Sequence, residues 1–66
     1  MTVAKVIEIS AESDINFEAA IHNGIVKASE TVHNIKSAWV KEQKVTVTDG
    51  QIVKYRVDMK VTFVMD

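Results

Sequence analysis

The dipeptide Asp49-Gly50 constrains the fold of this chain most, because it joins two stretches in which apolar and polar residues alternate. A two-residue hairpin whose turn follows the twist of its strands needs positive φ at both central positions, and Asp-Gly adopts that conformation readily. The sequence therefore predicts a long β-hairpin over residues 37–65, with a register in which Thr48 lies opposite Gln51.

This register divides the hairpin residues between two faces. On one face the last strand is apolar at every second residue, which predicts a surface covered by a helix; these residues are Val53, Tyr55, Val57, Met59, Val61, Phe63 and Met65. The other face carries charges around the only Trp. Its predicted cross-strand pairs are Gln43 with Arg56, Lys41 with Asp58, Trp39 with Lys60, and Ser37 with Thr62.

The first half of the chain predicts one strand and one helix. Residues 3–10 are rich in β-branched side chains and are typical of a strand. Apolar residues at helical spacing predict a helix from Phe17 to about Val32, with Asn16 as its N-cap and Asn34 as its terminator. Gly24 lies within the apolar stripe, and we expect it to mark the tightest contact of the helix with the sheet or with a neighbouring subunit.

The predicted order of elements is strand, helix, strand, strand. It indicates an α+β fold in which one helix packs on a three-stranded antiparallel sheet with the third strand in the middle, as a single domain over residues 1–66. A chain of 66 residues buries only about 60% of its unfolded surface, and it has no Cys to form disulfides. Several copies packed together would supply the missing stability and cover the second face of the sheet.

Composition argues against several classes of function. A net charge of −1 is not the basic surface that nucleic-acid binding needs. No uncharged apolar stretch approaches about 20 residues, so we expect a soluble cytoplasmic protein without membrane contact. The two glycines are isolated and no nucleophile motif is present, so we do not expect an enzyme.

Two groups of side chains are candidates for ligand binding. Trp39 could pack at a subunit interface, or it could stack on a planar ligand whose carbonyl edge accepts hydrogen bonds from Arg56 and Gln43. The second group is a set of acids near the first strand and the helix start. These could bind a hard cation such as calcium, or serve only solubility and helix capping; they are Glu8, Glu12, Asp14 and Glu18.

Four stretches of the chain match the pattern of a known family. Residues 55–63, Tyr-Arg-Val-Asp-Met-Lys-Val-Thr-Phe, carry the most specific part of the likeness, and residues 5–9, 17–21 and 24–28 also match. Over almost its full length the chain resembles the dodecins. The resemblance implies a β-α-β-β subunit and a hollow homododecamer. It also implies that flavin, as FMN or riboflavin, binds in pairs between subunits for storage without catalysis.

The chain departs from the flavin-binding pattern at the positions that recognise the ring. Ser37 stands where those dodecins have a stacking Trp, Arg56 replaces their Gln, and Trp39 stands where the family usually has an acid. Arg56 without the stacking Trp resembles the calcium-binding branch. Two hypotheses follow: a flavin-sequestering protein that uses Ser37, Trp39, Gln43 and Arg56, or a shell that binds calcium or other ions or is purely structural.

Overall fold

A computed structural model describes residues 2–65, so positions 1 and 66 of the expected domain lie outside the described residues. The chain forms β1 (Val3–Ser13), α1 (Phe17–Ala28), β2 (Ile35–Thr48) and β3 (Gln51–Met65). The three strands form one sheet in the order β1-β3-β2, and β3 is antiparallel to both neighbours. The predicted α+β architecture with the third strand in the middle is confirmed.

Helix α1 begins where the sequence predicts. The side-chain oxygen of Asn16 accepts a hydrogen bond from the amide of Ala19 at 2.7 Å, and the backbone of Asn16 is extended. This contact satisfies one of the amides that have no partner within the first turn of a helix. Asn16 is therefore the N-cap.

The helix ends at Ala28, and the prediction that it continues to about Val32 is wrong. The amide and the hydroxyl of Ser29 both donate to the carbonyl of Ile25, at 2.9 and 2.8 Å, and a hydrogen-bonded turn follows. Asn34 has the left-handed conformation expected of it, with φ 63°. It lies at the entry to β2, however, so it does not terminate the helix.

Gly24 lies at the closest approach between α1 and the sheet, as the sequence predicts. A Cβ atom on Gly24 would lie 2.7 Å from Cε of Met59 and 3.0 Å from Cβ of Ala11, so only glycine fits without movement. The helix thereby covers the apolar face of the central strand. Among residues 2–65, the hydrophobic residues that are completely buried are Ala20, Val57, Met59 and Val61.

The β2–β3 hairpin has the predicted turn. Asp49 and Gly50 have φ values of 52° and 75°, both in the left-handed region. Thr48 lies opposite Gln51, and Val47 opposite Ile52. The turn and the first two pairs of the predicted register are confirmed.

Two β-bulges then change the register over the middle of the hairpin. Val53 is an extra residue on β3, and Lys41 is an extra residue on β2. Between them the strands are shifted by one residue from the predicted register, so the predicted pairs Gln43 with Arg56 and Lys41 with Asp58 are wrong. The observed pairs are Lys44 with Arg56, Gln43 with Val57, and Glu42 with Asp58.

The second bulge restores the predicted register beyond it. Trp39 lies opposite Lys60 and Ser37 opposite Thr62, as predicted, because the extra residue on β2 cancels the extra residue on β3. One more irregularity follows at Lys36. Strand β1 is longer than expected, ending at Ser13 rather than near residue 10. Within residues 2–65 no helix is long and apolar enough to cross a membrane.

Candidate functional site

The side of the sheet that faces away from α1 carries most of the polar side chains. Residues directly opposite each other on antiparallel strands share a face, and alternate residues of one strand do too. We call this surface the open face. Its central residues are Glu8, Ser10 and Glu12 of β1, Arg56, Asp58 and Lys60 of β3, and Ser37, Trp39 and Lys41 of β2.

The aromatic ring of the open face is half exposed and has a cation beside it. Trp39 retains 50% of its accessible surface, and the Nζ atom of Lys60 lies 5.7 Å from its ring centroid. That distance is within the range of a cation–π interaction. A half-exposed indole ring can stack on a flat ligand, and an ammonium that lies close to the ring can make polar contacts with the ligand.

The guanidinium of Arg56 lies between two carboxylates on the open face. Its Nη1 atom is 3.5 Å from Oε1 of Glu12, and its Nε atom is 3.7 Å from Oδ1 of Asp58. The Nε atom is buried and has no hydrogen-bond partner. Asp58 also accepts a hydrogen bond of 2.6 Å from the hydroxyl of Ser10. This arrangement directs Arg56 towards its own chain.

A second ion pair spans the whole sheet. Nζ of Lys41 lies 3.2 Å from Oε1 of Glu8, although β3 separates their two strands. Lys41 lies two residues after Trp39 and on the same open face, where its side chain can reach over the central strand. Nζ of Lys54 lies 3.5 Å from the second carboxylate oxygen of Glu12. Exposed pairs of this kind contribute under about 1 kcal/mol each, so they orient side chains more than they stabilise the fold.

The structure brings together three of the four residues predicted to form the ligand site. Ser37, Trp39 and Arg56 share the open face, because their cross-strand partners belong to it. Gln43 does not, since it lies opposite Val57, whose side chain points towards α1. The expectation that Gln43 and Arg56 both donate to the edge of a ligand is therefore wrong for a single chain.

The sequence predicts the pairing of Lys60 with Trp39 but no role for Lys60. The register around the turn places the two residues opposite each other, so a signal for a shared site is present in the sequence. The contact of Lys41 with Glu8 has no such signal, because it depends on the register of β1 against β3.

The acidic residues near β1 do not form a metal site within one chain. Across residues 2–65, no three His, Asp or Glu side chains are grouped so that they could hold a metal ion. Glu8 and Glu12 are paired with lysine and arginine side chains, while Glu18 lies on α1. A calcium ion takes six to eight oxygen ligands, so the donor set of a single chain does not fit it.

Comparison with known proteins gives the family to which this fold belongs. The family model for Dodecin matches residues 3–66. The chain belongs to the dodecin family. One relative, the calcium dodecin of Mycobacterium tuberculosis, is 34% identical over 65 residues, which are 98% of this dodecin and 92% of the relative.

Two solved structures have the same fold. A dodecin from Streptomyces davaonensis is 38% identical and superposes with a TM-score of 0.94, covering 98% of this dodecin and 96% of the other chain. The calcium-chelating calcium dodecin of Mycobacterium tuberculosis, described with a novel calcium-binding site, is 35% identical with a TM-score of 0.83, covering 97% and 91%. The resemblance to the dodecins in the sequence is confirmed.

Proposed function

We propose that this dodecin is a non-catalytic homododecamer that stores flavin, as FMN or riboflavin, between its subunits. The observation that carries the proposal is the half-exposed ring of Trp39 on the open face, with the ammonium of Lys60 beside it. A monomer in which an aromatic side chain on a polar surface is half exposed offers a platform for a flat molecule.

The surface of the single chain supports assembly. The open face is not covered by its own helix, and β1 and β2 are edge strands with unpaired backbone groups on their outer sides. The end of the hairpin also exposes apolar side chains, which neighbouring copies can bury; these are Val45, Val47, Ile52 and Val53. Twelve copies is the number that the family resemblance implies.

The flavin ring stacks on Trp39, with Ser37 leaving space beside it. These two residues lie two positions apart on the same face of β2, which is about 7 Å along a strand. The ring is therefore displaced by that distance from the place where dodecins with a Trp at the Ser37 position would hold it.

Fluorescence titration tests this function. When riboflavin or FMN is added to the protein, we expect the fluorescence of the flavin to be quenched, because stacking on indole brings the two rings into contact. In Trp39→Ala the affinity should fall about fivefold or more, since aromatic stacking contributes about 1 kcal/mol beyond the area that it buries.

Val26→Ala is the control, because Val26 is exposed on α1. It should bind both compounds as the wild type does. Absence of quenching by the wild-type protein at micromolar concentration would contradict flavin storage.

An ion-binding or purely structural shell is a second candidate, favoured by the geometry of Arg56. Both Glu12 and Asp58 hold this guanidinium, which removes it from the donors that a planar ligand needs. A relative of 34% identity is named for calcium. Because one chain does not group enough carboxylates, calcium would need oxygen ligands from more than one copy. Calorimetry with calcium chloride tests this candidate. The absence of both a heat of binding and a rise in Tm would contradict ion binding.

A further inference from the structure

Lys60 occupies a fixed position next to the exposed ring. It belongs to β3, which pairs with a strand on each side, and its side chain is half buried. Trp39 lies directly opposite on β2, and the ammonium approaches its ring to 5.7 Å. A side chain held on the central strand loses less freedom on contact with a ligand than a lysine on a loop would.

The carboxylate that lies opposite Lys60 on β1 is already paired. Glu8 lies opposite Lys60 on β1, but its Oε1 atom is 3.2 Å from Nζ of Lys41. Within the described part of the chain, no carboxylate oxygen comes within 4.0 Å of Nζ of Lys60. The N–H groups of Lys60 therefore remain available to an acceptor placed over Trp39.

In a single chain, the other donors expected at this site lie on the other face or are paired with carboxylates. Gln43 lies opposite Val57 and so belongs to the helix side of the sheet. Arg56 is directed to Glu12 and Asp58, and its Nε atom is buried. Among the described residues, Lys60 is thus a cation of the open face whose ammonium lies near an aromatic ring and has no carboxylate oxygen within 4.0 Å.

We propose that Lys60 is the donor that recognises the acceptor edge of the ring stacked on Trp39. The proposal rests on the proposed function and specifies its ligand class: a flat heteroaromatic molecule with carbonyl oxygens along one edge, or with negative charge on the ring. Lys41 acts as a positioning residue, because its contact with Glu8 keeps that carboxylate away from Lys60.

Riboflavin is the probe for the first test, because it presents carbonyl oxygens and carries no phosphate. Loss of a charged donor weakens binding by at least about tenfold, so Lys60→Met should reduce the affinity by that factor. Lys27→Met removes the same charge from α1, and Gln43→Leu removes the donor on the other face; both should stay within about twofold of the wild type. Lys60→Arg keeps the cation and should restore most of the affinity.

The reduction potential of bound riboflavin separates a donor from a residue that merely packs against Trp39. Reduction by two electrons leaves the ring negatively charged near neutral pH, and a neighbouring ammonium stabilises that form. The midpoint potential should therefore be more positive in the wild type than in Lys60→Met. Far-ultraviolet circular dichroism checks that each variant is folded.

Each outcome distinguishes the two proposals. If the wild type binds riboflavin and Lys60→Met binds it equally well, the role of Lys60 is wrong and flavin storage stands. Weaker binding with an unchanged potential also contradicts the donor role, since Lys60 would then act only by packing. If the wild type binds neither riboflavin nor FMN, both proposals are wrong.

Discussion

At the scale of single residues, Gly24 shows how tightly the helix and the sheet fit together. It lies in the apolar stripe of α1, and a Cβ atom there would come within 3.0 Å of Ala11 and closer still to the end of Met59. Met59 can move its terminal methyl group, but it is completely buried, and the Cβ of Ala11 is fixed to the backbone. Glycine therefore lowers the intrinsic stability of the helix at this position, but it allows the helix and the sheet to pack closely.

We expect Gly24→Val to lower the free energy of unfolding by at least about 2 kcal/mol. Overpacking a filled interior costs about 1–3 kcal/mol. Valine has a lower helix propensity than alanine, so the change from glycine to valine offsets little of this cost. Urea denaturation measures the effect through a lower midpoint with an unchanged slope. Asn23→Ala, at an exposed neighbouring position, should change the stability by less than about 0.5 kcal/mol. Equal midpoints for Gly24→Val and the wild type would show that α1 does not pack as closely as described.

At the scale of elements, the hairpin combines a regular turn with two compensating bulges. The extra residue Val53 shifts the register by one position, and the extra residue Lys41 shifts it back. As a result, Gln43 and Val45 move to the helix side of the sheet, while Lys41 lies on the open face and reaches Glu8. The bulges therefore decide which polar side chains surround Trp39, a role that bulges often have near functional sites.

The turn itself can be tested through Gly50, whose φ is 75°. No atom lies within 4 Å of a Cβ built on this residue, so Gly50→Ala introduces backbone strain without a clash. A left-handed conformation costs an L-residue about 1–2 kcal/mol. We expect Tm to fall by about 4 °C or more, measured by circular dichroism.

Asp49→Asn is the matched change at the other turn position. Asn tolerates the left-handed conformation as well as Asp does, so its Tm should match the wild type. A Gly50→Ala protein that melts at the wild-type temperature would mean that the turn differs from the one described.

At the scale of the whole molecule, the single chain is too extended to enclose its own sheet. Its radius of gyration is 13.6 Å, whereas a compact domain of this length has about 11 Å. The chain measures 52 by 19 by 13 Å, and few side chains are fully buried. Exposed valine and isoleucine side chains at the end of the hairpin have no covering element in the same chain. These features support the proposed assembly.

Sedimentation velocity at low micromolar concentration tests assembly directly. We expect a species many times heavier than the 7.4 kDa chain, because the exposed sheet and hairpin gain stability only when other copies bury them. The distribution of sedimentation coefficients should be the same in Trp39→Ala if Trp39 binds the ligand and does not hold subunits together. A stable, well-folded monomer would contradict the assembly and the storage function that depends on it.

The sequence by itself determined the order of the elements, the cap at Asn16, the turn at Asp49 and Gly50, and the close contact at Gly24. Each of these follows from local rules: side-chain oxygens cap helices, Asp-Gly permits positive φ, and a small residue in an apolar stripe permits close approach. The predicted pairing of Trp39 with Lys60 is also correct, because the register shifts at Val53 and Lys41 cancel each other between the turn and this pair.

Only the tertiary structure decided which residues lie on each face between the bulges. Residues 41–44 are all polar, and a strand segment that is polar on both sides does not specify its register. The structure places Val40 and Val45 on the helix side of the sheet although they are five residues apart, and an odd separation on one face requires an extra residue between them. Contacts across three strands, such as Lys41 with Glu8, exist only once the sheet has formed, because they depend on the register of β1 against β3, which the sequence did not predict.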